Sequence, residues 1–232
     1  MRIVAWNCNQ ALGKKAYKLL ELNPDVVVVS EAGTETELGE GRLRRVAWTG
    51  RNPKKGLAVF VREGIEATVG KSWDETREWY LPIRVPGRDF DVLAVWAMYQ
   101  NSKEPRSKWV RTLSALQHYE TFLSARQCVV IGDFNNNARW DTSTNPVFER
   151  ITTQLATSSY LSVYHALSGE AHGGESAASF FHRRDPSKPY LIDHAFVPSP
   201  WLDRVKGFEI GRPDEWLGLS DHMPLILDLA ST

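Results

Sequence analysis

Cys128-Val129-Val130-Ile131-Gly132-Asp133-Phe134-Asn135 is the stretch on which the reading of this chain turns. Apolar residues run straight into Gly-Asp-Phe-Asn. That is the pattern of a buried strand whose end presents a carboxylate and a carboxamide on one side, two residues apart. An acid beside an amide at a strand end can hold a water, a metal or a phosphoryl oxygen. A second polar group, Ser220-Asp221-His222-Met223-Pro224, lies near the C-terminus.

Working outward, alternation predicts a strand over 2–8, the run Val26-Val27-Val28-Val29 a strand over 25–30 buried on both faces, and strands are also expected over 45–50, 57–62, 65–69, 79–85 and 90–99. Further strands are expected over 128–132, 161–166, 179–182, 191–197, 205–210 and 225–229. Helices are expected over 14–22, where Asn23-Pro24 stops the run, and over about 146–156 behind Asn145-Pro146. The clearest helix covers 109–123, with Trp109, Leu113, Leu116 and Leu123 on one face. Residues 33–44 read as a loop. Strands dominate and many connections are short, so antiparallel pairing is expected. The coarse picture is two sheets face to face with helices outside, delivering polar strand ends to one rim.

The chain has 232 residues, enough for one large domain over 1–232 with a sizeable core. Hydrophobic content of 42% and charged content of 24% describe an ordinary globular protein. Formal net charge is zero, so affinity for a polyanion has to come from a local basic face. Cys8 and Cys128 are too few for a disulfide framework or a structural zinc site, and read as buried free thiols of a reducing compartment. No apolar run is long enough to span a membrane, and residues 1–8 read as a strand rather than a signal segment. A cytoplasmic location and no membrane partner are therefore expected.

Polar residues recur at strand ends: Asn7, Glu31, Asp133, Asn135, Asp193 and Asp221-His222. Singly each has a bland reading, since an Asn there is usually a turn residue. Asp193, inside Leu191-Ile192-Asp193-His194-Ala195-Phe196, is harder to dismiss, because a buried carboxylate needs a histidine or a metal. Together they suggest a shared rim. Hard oxygen donors without Cys or clustered His favour Mg²⁺, with Mn²⁺ as substitute, over Zn²⁺. His165 and His172 flank Glu170, but their spacing matches no metal motif, and the segment reads as a surface loop. His194 reads as core, on the face opposite Asp193.

In this order, Asn7, Glu31, Gly132-Asp133-Phe134-Asn135, Asp193 and Ser220-Asp221-His222 resemble the endonuclease/exonuclease/phosphatase family, the DNase-I-like fold, from residue 2 to about 229. The resemblance implies an α/β fold, a four-layer α/β sandwich of two mainly antiparallel sheets with helices outside. It also implies roles. Glu31 becomes the main Mg²⁺ ligand with Asn7 beside it, and Asp221 a further metal contact. Asp133 orients or deprotonates the attacking water, or protonates the leaving group. Asn135 holds a non-bridging oxygen, and His222, oriented by Asp193, contacts the scissile phosphate. Hydrogen bonding to Asp193 should raise the His222 pKa. The family's Tyr or His after the strand at 90–99 falls on Tyr99, with Asn101 as the alternative register.

The implied activity is a metal-dependent phosphodiesterase, with a nuclease on DNA leading. The alternatives are a phosphatase on a small phosphoester or phosphoinositide, and a binding module that kept the fold. Basic segments at 42–55, 103–111 and 182–188 each adjoin an aromatic. Arg139-Trp140, next to the motif loop, could hold a phosphate and stack on a base, and His182 sits on a loop that could reach substrate. No obligate protein partner is evident.

Overall fold

Strand parity assigns the two faces of the first sheet. The computed structural model describes residues 1–88, 90–98, 107–125 and 128–230. Along the chain the strands are β1 (Arg2–Asn7), β2 (Val26–Ala32), β3 (Glu37–Leu38), β4 (Leu43–Asn52), β5 (Lys55–Arg62), β6 (Thr68–Val69), β7 (Tyr80–Arg84) and β8 (Asp91–Trp96). They continue as β9 (Cys128–Asp133), β10 (Tyr160–Ser162), β11 (Phe180–Phe181), β12 (Pro189–Tyr190), β13 (Asp193–Pro198), β14 (Val205–Ile210) and β15 (Leu225–Leu229). The helices are α1 (Leu12–Glu21), α2 (Ser107–His118), α3 (Glu120–Ala125), α4 (Val147–Thr157), α5 (Val163–Ser168) and α6 (Pro213–Trp216).

A seven-stranded sheet runs β14-β15-β1-β2-β5-β4-β3, and a six-stranded sheet runs β10-β13-β9-β8-β7-β6. Each is mixed, with one parallel pair at its middle: β1 with β2, and β8 with β9. Ile3, Ala5, Val26, Val28, Val59 and Val61 point into a core shared with the second sheet. Val4, Trp6, Val27, Val29, Ala58 and Phe60 point the other way, onto Leu12, Ala16 and Leu19 of α1. Both faces of β2 are thus covered, which is why Val26-Val27-Val28-Val29 is an unbroken apolar run. Burying each such side chain contributes about 1.5–3 kcal/mol. Helices on the outer faces complete a four-layer sandwich. No helix among the described residues is long and apolar enough to cross a membrane.

The expected helix over 109–123 is present as α2 and α3. It is interrupted at the buried Tyr119, although backbone bonds Tyr119 N to Ala115 O (2.9 Å) and Leu123 N to Tyr119 O (2.8 Å) run across the break. The expected strand over 161–166 is a correction. Only Tyr160–Ser162 pairs with β13, and the chain then turns into α5. Ser162 Oγ bonds His165 Nδ1 at 2.7 Å, a contact three residues along that a continuing strand cannot make. A six-residue segment of mixed polarity is too short for its pattern to discriminate strand from helix. The loop at 33–44 holds the two-residue β3, and the strand at 65–69 shrinks to Thr68–Val69.

Gly132 sets how β9 meets β8. Its φ is +144°, and a Cβ there would lie 2.0 Å from Val95 O of the paired strand. Gly132→Ala is therefore expected to lower stability by about 2–5 kcal/mol, from backbone strain plus overpacking. A urea unfolding curve with an unchanged midpoint would show that β8 and β9 can separate freely.

Candidate active site

The central parallel pairs place the C-terminal ends of β1, β2 and β9 at one edge of the sandwich. β13 is antiparallel to β9, so its first residue reaches the same edge, with Asp193 paired opposite Asp133. β15 is antiparallel to β1, which brings the preceding Asp221-His222 there as well. Asn7 Nδ2 donates to Asp133 Oδ2 at 3.0 Å, a hydrogen bond that joins the two sheets at the rim.

Asp133 is buried, and three donors converge on it. Besides Asn7, Asn135 gives its backbone N–H to Oδ1 (2.8 Å) and its Nδ2 to Oδ2 (3.1 Å). Asn135 holds φ at +50°, a left-handed position that Asn tolerates better than most residues. Burial, and then the facing carboxylate of Asp193, push the Asp133 pKa up to about 7.

His222 Nδ1 lies 2.8 Å from Asp193 Oδ2, and the same oxygen accepts from Ser179 Oγ at 2.7 Å. Burial works against the charged ring. The carboxylates of Asp193 and Asp133, and the bond to Asp193, outweigh it and bring the His222 pKa up to about 9. Ser220 holds the segment in place: its Oγ donates to Asn7 O at 2.7 Å and accepts from His222 N at 3.0 Å. Trp6 Nε1 donates to His222 O at 2.9 Å. Asp133, Asp193 and His222 each bring one potential ligand atom within 4.8 Å of the others, a donor set that could hold a metal ion.

Glu31 reaches the rim through an irregularity. The pairing of β2 with β5 shifts register between Ser30 and Ala32, and Glu31 adopts φ +60°. Bulges of this kind re-aim a side chain, and strained backbone concentrates at functional sites. Glu31 Oε1 meets Lys55 Nζ at 3.1 Å, and that ammonium lies 5.8 Å from the Trp96 ring centroid. Asp221 Oδ1 accepts from Asn9 Nδ2 at 2.9 Å, while Asn9 N donates to Asn7 Oδ1 at 3.0 Å.

A row of rings leads away from His222. Phe180 is 4.7 Å from the imidazole, Tyr190 is 6.5 Å from Phe180, and Trp140 is 5.2 Å from Tyr190 (centroid distances). Trp140 is 42% exposed, so its outer surface is free for a ligand. Its neighbour Arg139 donates from Nε to Gly173 O at 2.9 Å, and the exposed His182 stands 6.1 Å from Phe180.

Asn7, Asp133, Asn135, Asp193 and His222 thus meet directly, with Asp221 joined to Asn7 through Asn9. Glu31 is tied to Lys55, and Arg139, Trp140 and His182 flank the rim. Tyr99 and Asn101 lie outside the described residues. Sequence reasoning missed Asn9, Ser179, Lys55, Phe180 and Tyr190, and took Ser220 as part of a motif without its bonding role. Asn9 lies just past the end of β1 with φ +49°, so strand alternation does not mark it, and an isolated Ser179 or Lys55 carries no signal either. The free thiols are as expected: Cys8 and Cys128 are buried, and burial pushes Cys8 up to about 12.

Three comparisons bear on this geometry. Among solved structures, an AP endonuclease from Archaeoglobus fulgidus superposes with a TM-score of 0.72 at 17% identity, covering 99% of both chains. The 3′ phosphatase NExo from Neisseria, bound to product DNA hairpin, gives 0.74 at 17%, again covering 99% of both. The catalytic domain of Xenopus laevis APE2 gives 0.74 at 14%, covering 100% of this chain and 92% of that one. No curated protein matches the chain significantly in sequence. The family model described as Endonuclease/Exonuclease/phosphatase matches residues 4–222, a span that runs from β1 to His222 and encloses every rim residue named above. The chain belongs to the endonuclease/exonuclease/phosphatase family and is a phosphoester-hydrolysing enzyme.

Proposed function

We propose that this enzyme is a Mg²⁺-dependent phosphodiesterase acting on DNA, cleaving by in-line attack of water, with residues 1–232 forming one catalytic domain. The observation that carries the reading is the meeting of Asp133, Asp193 and His222 within 4.8 Å at the rim. A carboxyl held near 7 beside an imidazole held near 9 pairs an ionisable acid–base group with a cation at neutral pH.

The donor chemistry fits a hard divalent ion. Glu31 and Asp221 offer carboxylate oxygens and Asn7 an amide oxygen, and Glu31 already draws the Lys55 ammonium to 3.1 Å. Metal on Asp133, Asp193 and His222 is less favoured, because Nδ1 and the Asp193 oxygen are engaged with each other and a protonated ring is no ligand. Bound at Glu31 and Asp221, the ion would supply Lewis-acid neutralisation of phosphate charge. Asp133 then orients the water or handles its proton, Asn135 donates to a non-bridging oxygen, and imidazolium His222, steadied by Asp193, offers Nε2–H to the phosphate. Tyr99 is carried as a further site residue.

DNA is favoured by the row of rings from His222 to Trp140, flanked by Arg139 and His182, which suits stacking on bases beside a backbone. The DNA hairpin product bound by NExo supports the same choice. Buried, unpaired thiols fit a cytoplasmic setting.

The test is incubation with labelled single- and double-stranded DNA, RNA and a phosphomonoester panel, in Mg²⁺, Mn²⁺ or EDTA. DNA should be cleaved with Mg²⁺ and spared in EDTA, and Glu31→Gln should need more Mg²⁺ for the same rate. Turnover of phosphomonoesters with DNA left intact would replace the nuclease by a phosphatase. Failure on every phosphoester would sink the catalytic assignment.

A further inference from the structure

A second group of ligating side chains lies apart from the catalytic trio. His165 on α5, with His172 and Glu175 on the segment after it, each bring one donor atom within 4.8 Å of the others. We propose that His165, His172 and Glu175 form a binding site for a divalent transition-metal ion, with Zn²⁺ as the fitting occupant, separate from the catalytic centre.

The donor set is two imidazoles and a carboxylate, which suits zinc and leaves a fourth position open. Donors around tetrahedral zinc at about 2.0–2.1 Å stand roughly 3.3 Å from one another. His165 Nε2 and Glu175 Oε1 are 3.1 Å apart, close to that spacing. The His165 and His172 rings are stacked, with centroids 3.7 Å apart and planes tilted 39°. Loading an ion between their nitrogens splays the stack, and His172, exposed on its loop, is the ring free to move.

The surroundings are those of a ligand set. His165 Nδ1 is engaged by Ser162 Oγ at 2.7 Å, which orients the ring and leaves Nε2 towards the other donors. Glu175 is buried, and its second oxygen, Oε2, accepts from Asn137 Nδ2 at 3.2 Å. Gly173 N donates to Oε1 at 2.8 Å, bending the segment around the carboxylate.

The site also has a route to the active rim. Asn137 lies two residues beyond Asn135, and besides holding Glu175 it donates to Leu191 O at 2.8 Å. Leu191 is two residues before Asp193. An ion here therefore ties α5, the 170–177 segment, the motif loop and the approach to β13 into one unit. Glu170, which the sequence set between the two histidines, is not part of it: its carboxylate takes Tyr164 Oη and Ser176 instead.

The experiment uses the full chain carrying Glu31→Gln and Asp221→Asn, which weakens the catalytic metal position. Zn²⁺ is titrated by calorimetry and Co²⁺ by visible absorption, with and without His172→Ala. The parent should take up one equivalent of Zn²⁺, gain a Co²⁺ d–d band and melt higher with Zn²⁺. His172→Ala, at an exposed position that leaves the fold intact, should weaken Zn²⁺ at least about tenfold and remove the Co²⁺ band and the melting shift. In the otherwise wild-type chain His172→Ala should retain Mg²⁺-dependent hydrolysis, so failure of this site is distinguishable from failure of the catalytic reading. Equal Zn²⁺ affinity in parent and His172→Ala, or no stoichiometric Zn²⁺ in the parent, would overturn the proposal.

Discussion

Asp133→Asn should lower turnover by about 10²-fold or more, the lower range for removing a general acid–base group. The substitution keeps the shape of the side chain; its one oxygen can still accept from Asn7 and Asn135 Nδ2, while the new NH2 meets the Asn135 N–H that Oδ1 accepted from. What is lost is the ability to ionise. Asp133 sits near 7 because it is buried opposite Asp193, and a wild-type pH–rate profile should carry a limb in that region. The limb should vanish in Asp133→Asn. A rate within a few fold of wild type, with the limb retained, would remove Asp133 from the chemistry.

His222→Ala should cost a comparable 10²-fold or more, and Asp193→Asn should reveal why. Asp193 is the first of the groups that raise the His222 pKa, so neutralising it should draw the alkaline limb of kcat/KM from about 9 to lower pH while leaving His222 in place. The same shift has a stability consequence. The folded-state pKa of about 9 lies above the ordinary 6.5, so the His222–Asp193 pair contributes stability fully present below about pH 6.5. That contribution is lost as pH rises through about 9. Melting points in EDTA should fall across this window in wild type, and less so in His222→Ala. Parallel pH–melting curves for the two proteins would show that the imidazolium pair is not formed in the folded state.

Strand periodicity made much of this legible. Residues 2–8, 25–30 and 128–132 all became strands, because alternation and buried Val runs are local signals of which face meets a core. The recurring polar strand ends were legible too: Asn7, Asp133, Asn135, Asp193 and His222 meet as a connected set. The failures share a cause. Residues 161–166, Leu-Ser-Val-Tyr-His-Ala, carry too short a pattern to separate strand from helix; the bond from Ser162 to His165 and the packing of Val163 make 163–168 the helix α5.

The choice of partner was a tertiary matter. Glu170 and Glu175 are equally plausible neighbours for His165 in sequence, yet only the fold around Gly173 presents Glu175. Lys55 and Glu31 are far apart in the chain, and the pairing of β5 with β2 together with the bulge at Glu31 brings them together. Ser179 supports Asp193 only because the chain brings it back beside the start of β13.

The sequence by itself therefore determined the strands, their buried faces and the polar residues at their ends, since backbone geometry and burial act over a few neighbours. Only the tertiary structure decided that Asp133 faces Asp193, that both bear on His222, and that Asp133 rises to about 7 while His222 rises to about 9. Burial first and then Asp193 raise Asp133, while the carboxylates of Asp193 and Asp133 outweigh burial at His222; both depend on groups far apart in sequence that the pairing of the strands brings together away from water.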